Sequence, residues 1–188
     1  MATTKGDYML AGLALVFLLT TGTAWAQHPD DAFVGQKAPE LKGDNVWVNV
    51  PATKMEDLRG KVVLLDFWAF DCPFCAEAMP HVMALQEKYA KDGLVIVGVH
   101  TPRIDYERDV EKVKAAVKAK GIKYPVVIDN SYQIWSDYLC ATWPSQFVID
   151  QEGVIQLSHS GTGRYEDIEA VIKKLLAKKT ALSEEVKR

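Results

Sequence analysis

Residues 68–80 read WAFDCPFCAEAMP and place Cys72 and Cys75, two of the three cysteines in a chain of 188 residues, within one helical turn. Just before them, VVLLDF at residues 62–67 is an almost unbroken apolar run, the pattern of a strand covered on both faces. After them, AEAMPHVMALQEKYAKDG spaces its apolar residues helically and meets a stop signal at Gly93. A cysteine pair at a strand-to-helix junction has a specific chemical use. The first cysteine sits at the helix N-terminus, where unpaired N–H groups and the helix dipole stabilise a thiolate. The second lies one turn in, within reach of a disulfide. Pro73 is tolerated in a first turn that has no intrahelical use for its N–H, and Phe74 offers apolar surface beside the sulfurs. The expectation is an exposed, attacking Cys72 and a buried, resolving Cys75.

Structural uses of the pair compete with this one. A bridge across so short a loop gains little loop-closure entropy. Zinc wants four ligands, and the sequence holds no second Cys-x-x-Cys and no close histidine pair, with His81 badly placed. A copper or zinc module built on the pair plus a histidine is the rival from a different class. Asp66 favours redox chemistry independently, because it interrupts an apolar strand where an unpaired carboxylate is expensive. Either it pairs with a lysine such as Lys61 or reaches solvent at a bulge, or it is a buried carboxyl of raised pKa beneath Cys75. In the second case it takes the Cys75 proton and returns it.

The compartment follows from the N-terminus. A short polar MATTKGDY precedes the apolar MLAGLALVFLL, and Ala24-Trp25-Ala26 has the small-x-small form of a cleavage site. Roughly 11 apolar residues suit a signal-peptide core, whereas a spanning helix needs about 20. Residues 1–26 therefore read as a signal peptide cleaved after Ala26, with an uncleaved anchor as the alternative, and the location as periplasmic or secreted. The division continues with an irregular lead-in at 27–45, one domain at 46–180 and a solvent-exposed tail at 181–188. A net charge of −3 without basic clusters argues against nucleic acid as a partner.

Outward from the cysteines the elements alternate. VWVNV reads as the edge strand of a short N-terminal hairpin, and LVIVGVH as a strand parallel to the first across a helical crossover. DVEKVKAAVKAKG puts Val110, Val113 and Val117 on one helix face, YPVVID is a short strand and SYQIWSDYL a short helix. QFVID and VIQLSHS flank the turn QEG as an antiparallel hairpin. A last helix runs from about Tyr165 to Lys179, burying Ile168, Val171, Ile172, Leu175 and Leu176. The fold class is α/β, a central mixed sheet flanked by helices on both faces.

These motifs together carry a resemblance. VVLLDFWAFDCPFC, followed by Pro80, resembles the active-site region of the thioredoxin superfamily, with Asp66, Trp68, Cys72, Cys75 and Pro80 at the family's spacing. VGQKAPEL and EDLRGKVVLLDFWA resemble the TlpA/ResA-like branch. LVIVGVHTP, YPVVIDN, WPSQFVIDQEG and GTGRYEDIEAVI look especially like the thioredoxin-like domain of DipZ-type proteins. The resemblance implies a thioredoxin fold and a thiol–disulfide oxidoreductase that reduces disulfides in secreted proteins such as apocytochrome c. It implies no metal or organic cofactor beyond the redox-active pair, and electrons supplied by a membrane carrier of the DsbD/CcdA type. It makes Pro144 the cis-proline facing the cysteines, whose preceding backbone a substrate strand can pair with. Trp68, Pro73, Phe74, Trp143 and Pro144 are then the substrate-binding set. Trp143 departs from the family's smaller residue before that proline, and is either an apolar wall for the substrate or a core aromatic.

The remaining residues read more plainly. Asp71 is either a charge opposing the Cys72 thiolate or a solvated N-cap. Cys140 is either a small buried hydrophobe or a third thiol near the site. Glu77 and His81 belong to a solvated face, and His100 is structural. A disulfide-introducing oxidant is the rival of the same class, whereas a peroxidase lacks its threonine–cysteine pattern here.

Overall fold

The apolar run at residues 62–68 becomes a strand buried along its whole length, and the rest of the molecule is laid out around it. The computed structural model describes residues 33–185, with side chains through residue 178. The expected signal peptide lies outside the described residues. Six strands form one sheet: β1 (Val46–Val48), β2 (Val62–Trp68), β3 (Leu94–His100), β4 (Val126–Ile128), β5 (Ser145–Ile149) and β6 (Ile155–Ser160), in the order β1-β4-β3-β2-β5-β6. The helices are α1 (Pro73–Tyr89), α2 (Val110–Ala119), α3 (Gln133–Asp137) and α4 (Tyr165–Glu185). β2, β3 and β4 run parallel, as expected of strands joined through α1 and α2, while β5 pairs antiparallel with both β2 and β6. This is the mixed sheet of the thioredoxin fold.

Strand alternation sorts the core into two layers. Val62, Leu64 and Trp68 face a cluster that takes in both cysteines, Val82 and Leu85 of α1, Val113 and Val117 of α2, and Ile168 and Ile172 of α4. Val63, Leu65 and Phe67 face the opposite cluster, closed by Ile134 of α3, Tyr138, Leu41 of the lead-in, and Met55 and Leu58 of the 3-10 turn between β1 and β2. Three helices thus cover one face and one short helix plus the lead-in the other.

Two details differ from expectation. β1 is an edge strand, but it pairs antiparallel with β4, and among the described residues it makes no hairpin with the lead-in. Asn45 and Asn49 bound it at positive φ (56° and 73°), and the Asn49 side chain donates to the carbonyls of Ile122 and Tyr124, which ties it to the approach to β4. α4 continues to Glu185, past the expected end near Lys179.

Candidate active site

Cys72 and Cys75 form a disulfide, with their Cα atoms 5.2 Å apart. Cys72 is the N-cap of α1 in extended backbone (φ −93°, ψ 114°), with Pro73 following in the first turn. The Cys75 N–H donates to Cys72 Sγ at 3.1 Å, so an orphan donor of the helix end is aimed at that sulfur. Asp71 is exposed and is not the cap; its place is taken by the cysteine. The expected contrast in exposure is also absent from the disulfide form, in which Cys72 is 4% and Cys75 3% exposed. The disulfide itself holds Cys72 Sγ against the first turn, where the Cys75 N–H also meets it. What distinguishes the sulfurs is their place on the helix.

Asp66 lies mid-strand on β2, in the same alternation as Leu64 and Trp68, and so on the cysteine side of the sheet. It is 3% exposed and among the described residues has no lysine partner; its Oδ1 accepts from Gln146 Nε2 at 2.9 Å, across the β2–β5 ladder. Burial raises its pKa from 3.8 to about 6, with the Gln146 hydrogen bond pulling the other way. On its other side the β3 partner is Gly98, where an added Cβ would meet Trp68 Nε1 at 3.0 Å and the Tyr124 ring at 3.2 Å. The indole and phenol occupy the space of a missing side chain. Among the described residues neither Trp68 Nε1 nor the Tyr124 hydroxyl has a hydrogen-bond partner. The Asp66 charge, after burial, adds to the upward push on the Tyr124 phenol. Asp66 is therefore a buried carboxyl bonded to Gln146, and not the lysine-paired one that the sequence also allowed.

The Trp143–Pro144 peptide is cis. Trp143 is half-buried: it stacks on Trp135 (centroids 4.0 Å, 24°), donates its indole N–H to the Thr101 carbonyl at 2.9 Å, and packs against the cluster that holds the cysteines. It is an anchored aromatic with one exposed part. Pro144 is buried, whereas Phe74 is 62% exposed beside the sulfurs. Cys140 is half-buried against the opposite cluster, and burial pushes its thiol well above the ordinary range, so it behaves as a small hydrophobe. His81 is exposed on α1 and stacks on Tyr165, and Glu77 is exposed. Among the described residues no group of three His, Cys, Asp or Glu comes together as a cation site.

Gln146 escaped the sequence reading, although a polar residue inside QFVID, in a strand pairing with the one carrying Asp66, was a visible signal. Gln146→Leu removes the one side-chain donor to the carboxylate, so the Asp66 midpoint should move above about 6. The pH profile of mixed-disulfide resolution should shift to alkaline pH with it. A profile that stays in place would leave Gln146 with packing alone. Glu107 and His100, which hold the loop before Cys72, were also missed as site residues. DYERDV reads as ordinary surface charge, and nothing local marks Glu107 as buried.

With this geometry the chain resembles known proteins along most of its length. The AhpC/TSA family matches residues 34–158. Protein DipZ of Mycobacterium tuberculosis is 39% identical over 142 residues, 74% of this chain and 20% of DipZ, so the chain spans only a fifth of that relative. The thiol-disulfide oxidoreductase YkuV of Bacillus subtilis is 30% identical over 142 residues, 76% of this chain and 95% of YkuV. The crystal structure of a thiol-disulfide isomerase from Corynebacterium glutamicum superposes with a TM-score of 0.65 at 27% identity, covering 74% of this chain and 96% of that one.

Proposed function

Because the chain belongs to the AhpC/TSA family, in the TlpA/ResA-like branch of the thioredoxin superfamily, and is a thiol–disulfide oxidoreductase, we propose that it works as a reductant of disulfides in secreted proteins, in the periplasm. The observation that carries this reading is the pair at the α1 N-terminus above a buried carboxyl of pKa about 6. In the dithiol form, Cys72 thiolate attacks one sulfur of a client disulfide; a Cys72–client bond forms as the client bond breaks, and the departing thiolate takes a proton. Asp66 carboxylate receives the Cys75 proton. Cys75 thiolate then attacks Cys72 Sγ, the client leaves with its second thiol, and two electrons have passed from the pair to the client. The pair needs no other cofactor for this exchange, and a second dithiol protein, a membrane carrier of the DsbD/CcdA type, returns it to the dithiol. Apocytochrome c is the proposed client class.

Trp68, Pro73, Phe74, Trp143 and Pro144 are proposed to receive the client. Exposed Phe74, the exposed part of Trp143 and the buried cis-proline give an extended segment an apolar surface and a backbone to pair with. The proposed location rests on the leader-like residues 1–26, and among the described residues no helix is long and apolar enough to cross a membrane.

Direction is set by opposing charges. The helix end and the Cys75 N–H favour the Cys72 thiolate and so a more oxidising disulfide, whereas Asp71 and Asp66 disfavour it. For a two-electron couple about 30 mV corresponds to roughly 1.4 kcal/mol, so one modest charge effect decides the role. The expected potential of the Cys72–Cys75 pair is nearer about −270 mV than about −120 mV. Equilibration against glutathione or dithiothreitol measures it. A value above about −180 mV would make the protein a disulfide-introducing oxidant instead.

A further inference from the structure

The loop that delivers Cys72 is held by groups outside the reacting set. Phe70 N–H donates to His100 Nε2 at 3.2 Å, and the His100 ring stacks on Phe70 at 5.6 Å and 15°. Burial lowers the His100 pKa to about 4, so the ring is neutral at neutral pH, and the Phe70 N–H selects the tautomer that carries its proton on Nδ1 and accepts at Nε2. Asp71 N–H donates to Glu107 Oε1 at 3.1 Å, while Glu107 Oε2 accepts from the N–H groups of Arg103 (2.6 Å) and Ile104 (3.3 Å). Arg103 Nη1 closes the set on the Asp71 carbonyl at 3.0 Å. Glu107 lies in the 3-10 turn Asp105–Arg108 after β3 and has no exposed surface.

An apolar side chain would fill that space without the cost of burying a carboxylate. What the carboxylate adds is acceptors for three backbone donors that converge from two loops. Both oxygens accept, Oε1 from the loop before Cys72 and Oε2 from the loop after β3.

We propose that Glu107 is a positioning residue of the dithiol: together with His100 it fixes the Phe70–Asp71 backbone, so that Cys72 is presented as the cap of α1 in both redox states. The proposal rests on the redox reading of the pair and adds the device that holds its nucleophile in register. The bond from Cys75 N–H to Cys72 Sγ requires the cap geometry, and the two residues whose backbones set that geometry are the two that His100 and Glu107 grip.

Glu107→Gln preserves shape but replaces one acceptor oxygen with a donor, which then faces a backbone N–H. In the reduced variant the Cys72 alkylation profile should move to higher pH by about one unit, giving an approximately tenfold slower reaction at neutral pH. Glu107→Asp keeps the charge but is one methylene shorter, and should shift the profile in the same direction. An unchanged profile, even with a lower melting temperature, would reduce Glu107 to a stability role. A shift to lower pH would show that it acts through its charge. Should the variants fail to fold, hydrogen exchange in the wild-type protein decides: the Phe70 and Asp71 amides should be protected in disulfide and dithiol forms alike, and rapid exchange in the dithiol would overturn the proposal. Wild-type disulfide exchange, measured alongside, separates a failure of this proposal from a failure of the functional one.

Discussion

In a Cys75→Ser protein, mixed disulfides between Cys72 and client proteins should accumulate, while Cys72→Ser should trap none and lose exchange activity. The asymmetry follows from the helix. Cys72 caps α1 and receives the Cys75 N–H, which stabilises its thiolate, whereas Cys75 lies inside the first turn on the side of the sheet that carries Asp66. With Cys75 present, resolution is an attack by a neighbouring group already in place. Removing it leaves only external thiols, and the mixed disulfide should persist at least on the order of a thousandfold longer. Non-reducing electrophoresis and mass spectrometry of the trapped species read this directly. Because both sulfurs are equally buried in the disulfide form, the experiment tests position on the helix and not exposure. Equal trapping by the two variants would remove the assigned order of attack.

Asp66→Asn should separate stability from activity. Asparagine keeps a carbonyl acceptor for Gln146 Nε2 and removes the ionisable group. Between pH 3.8 and about 6 the folded protein retains an Asp66 proton that the unfolded chain has released, so stability falls as pH rises through that window. The accumulated cost at pH 7 is about 3 kcal/mol, which the variant should recover. His100 acts with the opposite sign. From pH 6.5 down to about 4 the unfolded chain takes up a proton that the buried ring refuses, so stability falls as pH falls. In the wild type these two contributions nearly cancel. In Asp66→Asn the His100 slope is no longer offset by Asp66, so from pH 4 to 6.5 the variant should gain about 3 kcal/mol of stability relative to the wild type. Denaturant titrations across that range measure it, and matching slopes in the two proteins would contradict the raised Asp66 pKa. Resolution of the mixed disulfide should meanwhile slow roughly a hundredfold at neutral pH, the usual worth of a positioned base. A rate unchanged from pH 6 to 9 would leave Asp66 without a part in proton transfer.

Most of the frame was legible in the chain. The unbroken apolar run before Cys72 specified a central strand, and the periodic segments around it specified the crossover helices, because burial on two faces or on one leaves a direct mark in residue order. The cysteine spacing, with Pro73 between, announced a pair at a helix N-terminus, although the sequence offered Asp71 as the cap, and an acid inside an apolar strand drew attention to Asp66. The order of the sheet edge was less legible: three residues, VWV, carry too little pattern to name a partner, and the pairing with β4, flanked by the Asn49 side-chain bonds to the Ile122 and Tyr124 carbonyls, appears only in the tertiary structure.

Sequence alone therefore determined the fold class, the cysteine pair at a strand-to-helix junction and the presence of an acid inside the central strand, since each leaves its mark in residues close along the chain. Tertiary structure alone decided what surrounds them. Gln146 reaches Asp66 from 80 positions away, Glu107 grips the Asp71 amide from 36 and His100 the Phe70 amide from 30. Hydrogen bonds of this kind are fixed by strand register and loop closure, and a polar residue carries no local sign of which distant donor or acceptor it will meet. The equal burial of the two cysteines also belongs to the tertiary structure: the disulfide holds both against the core beneath α1.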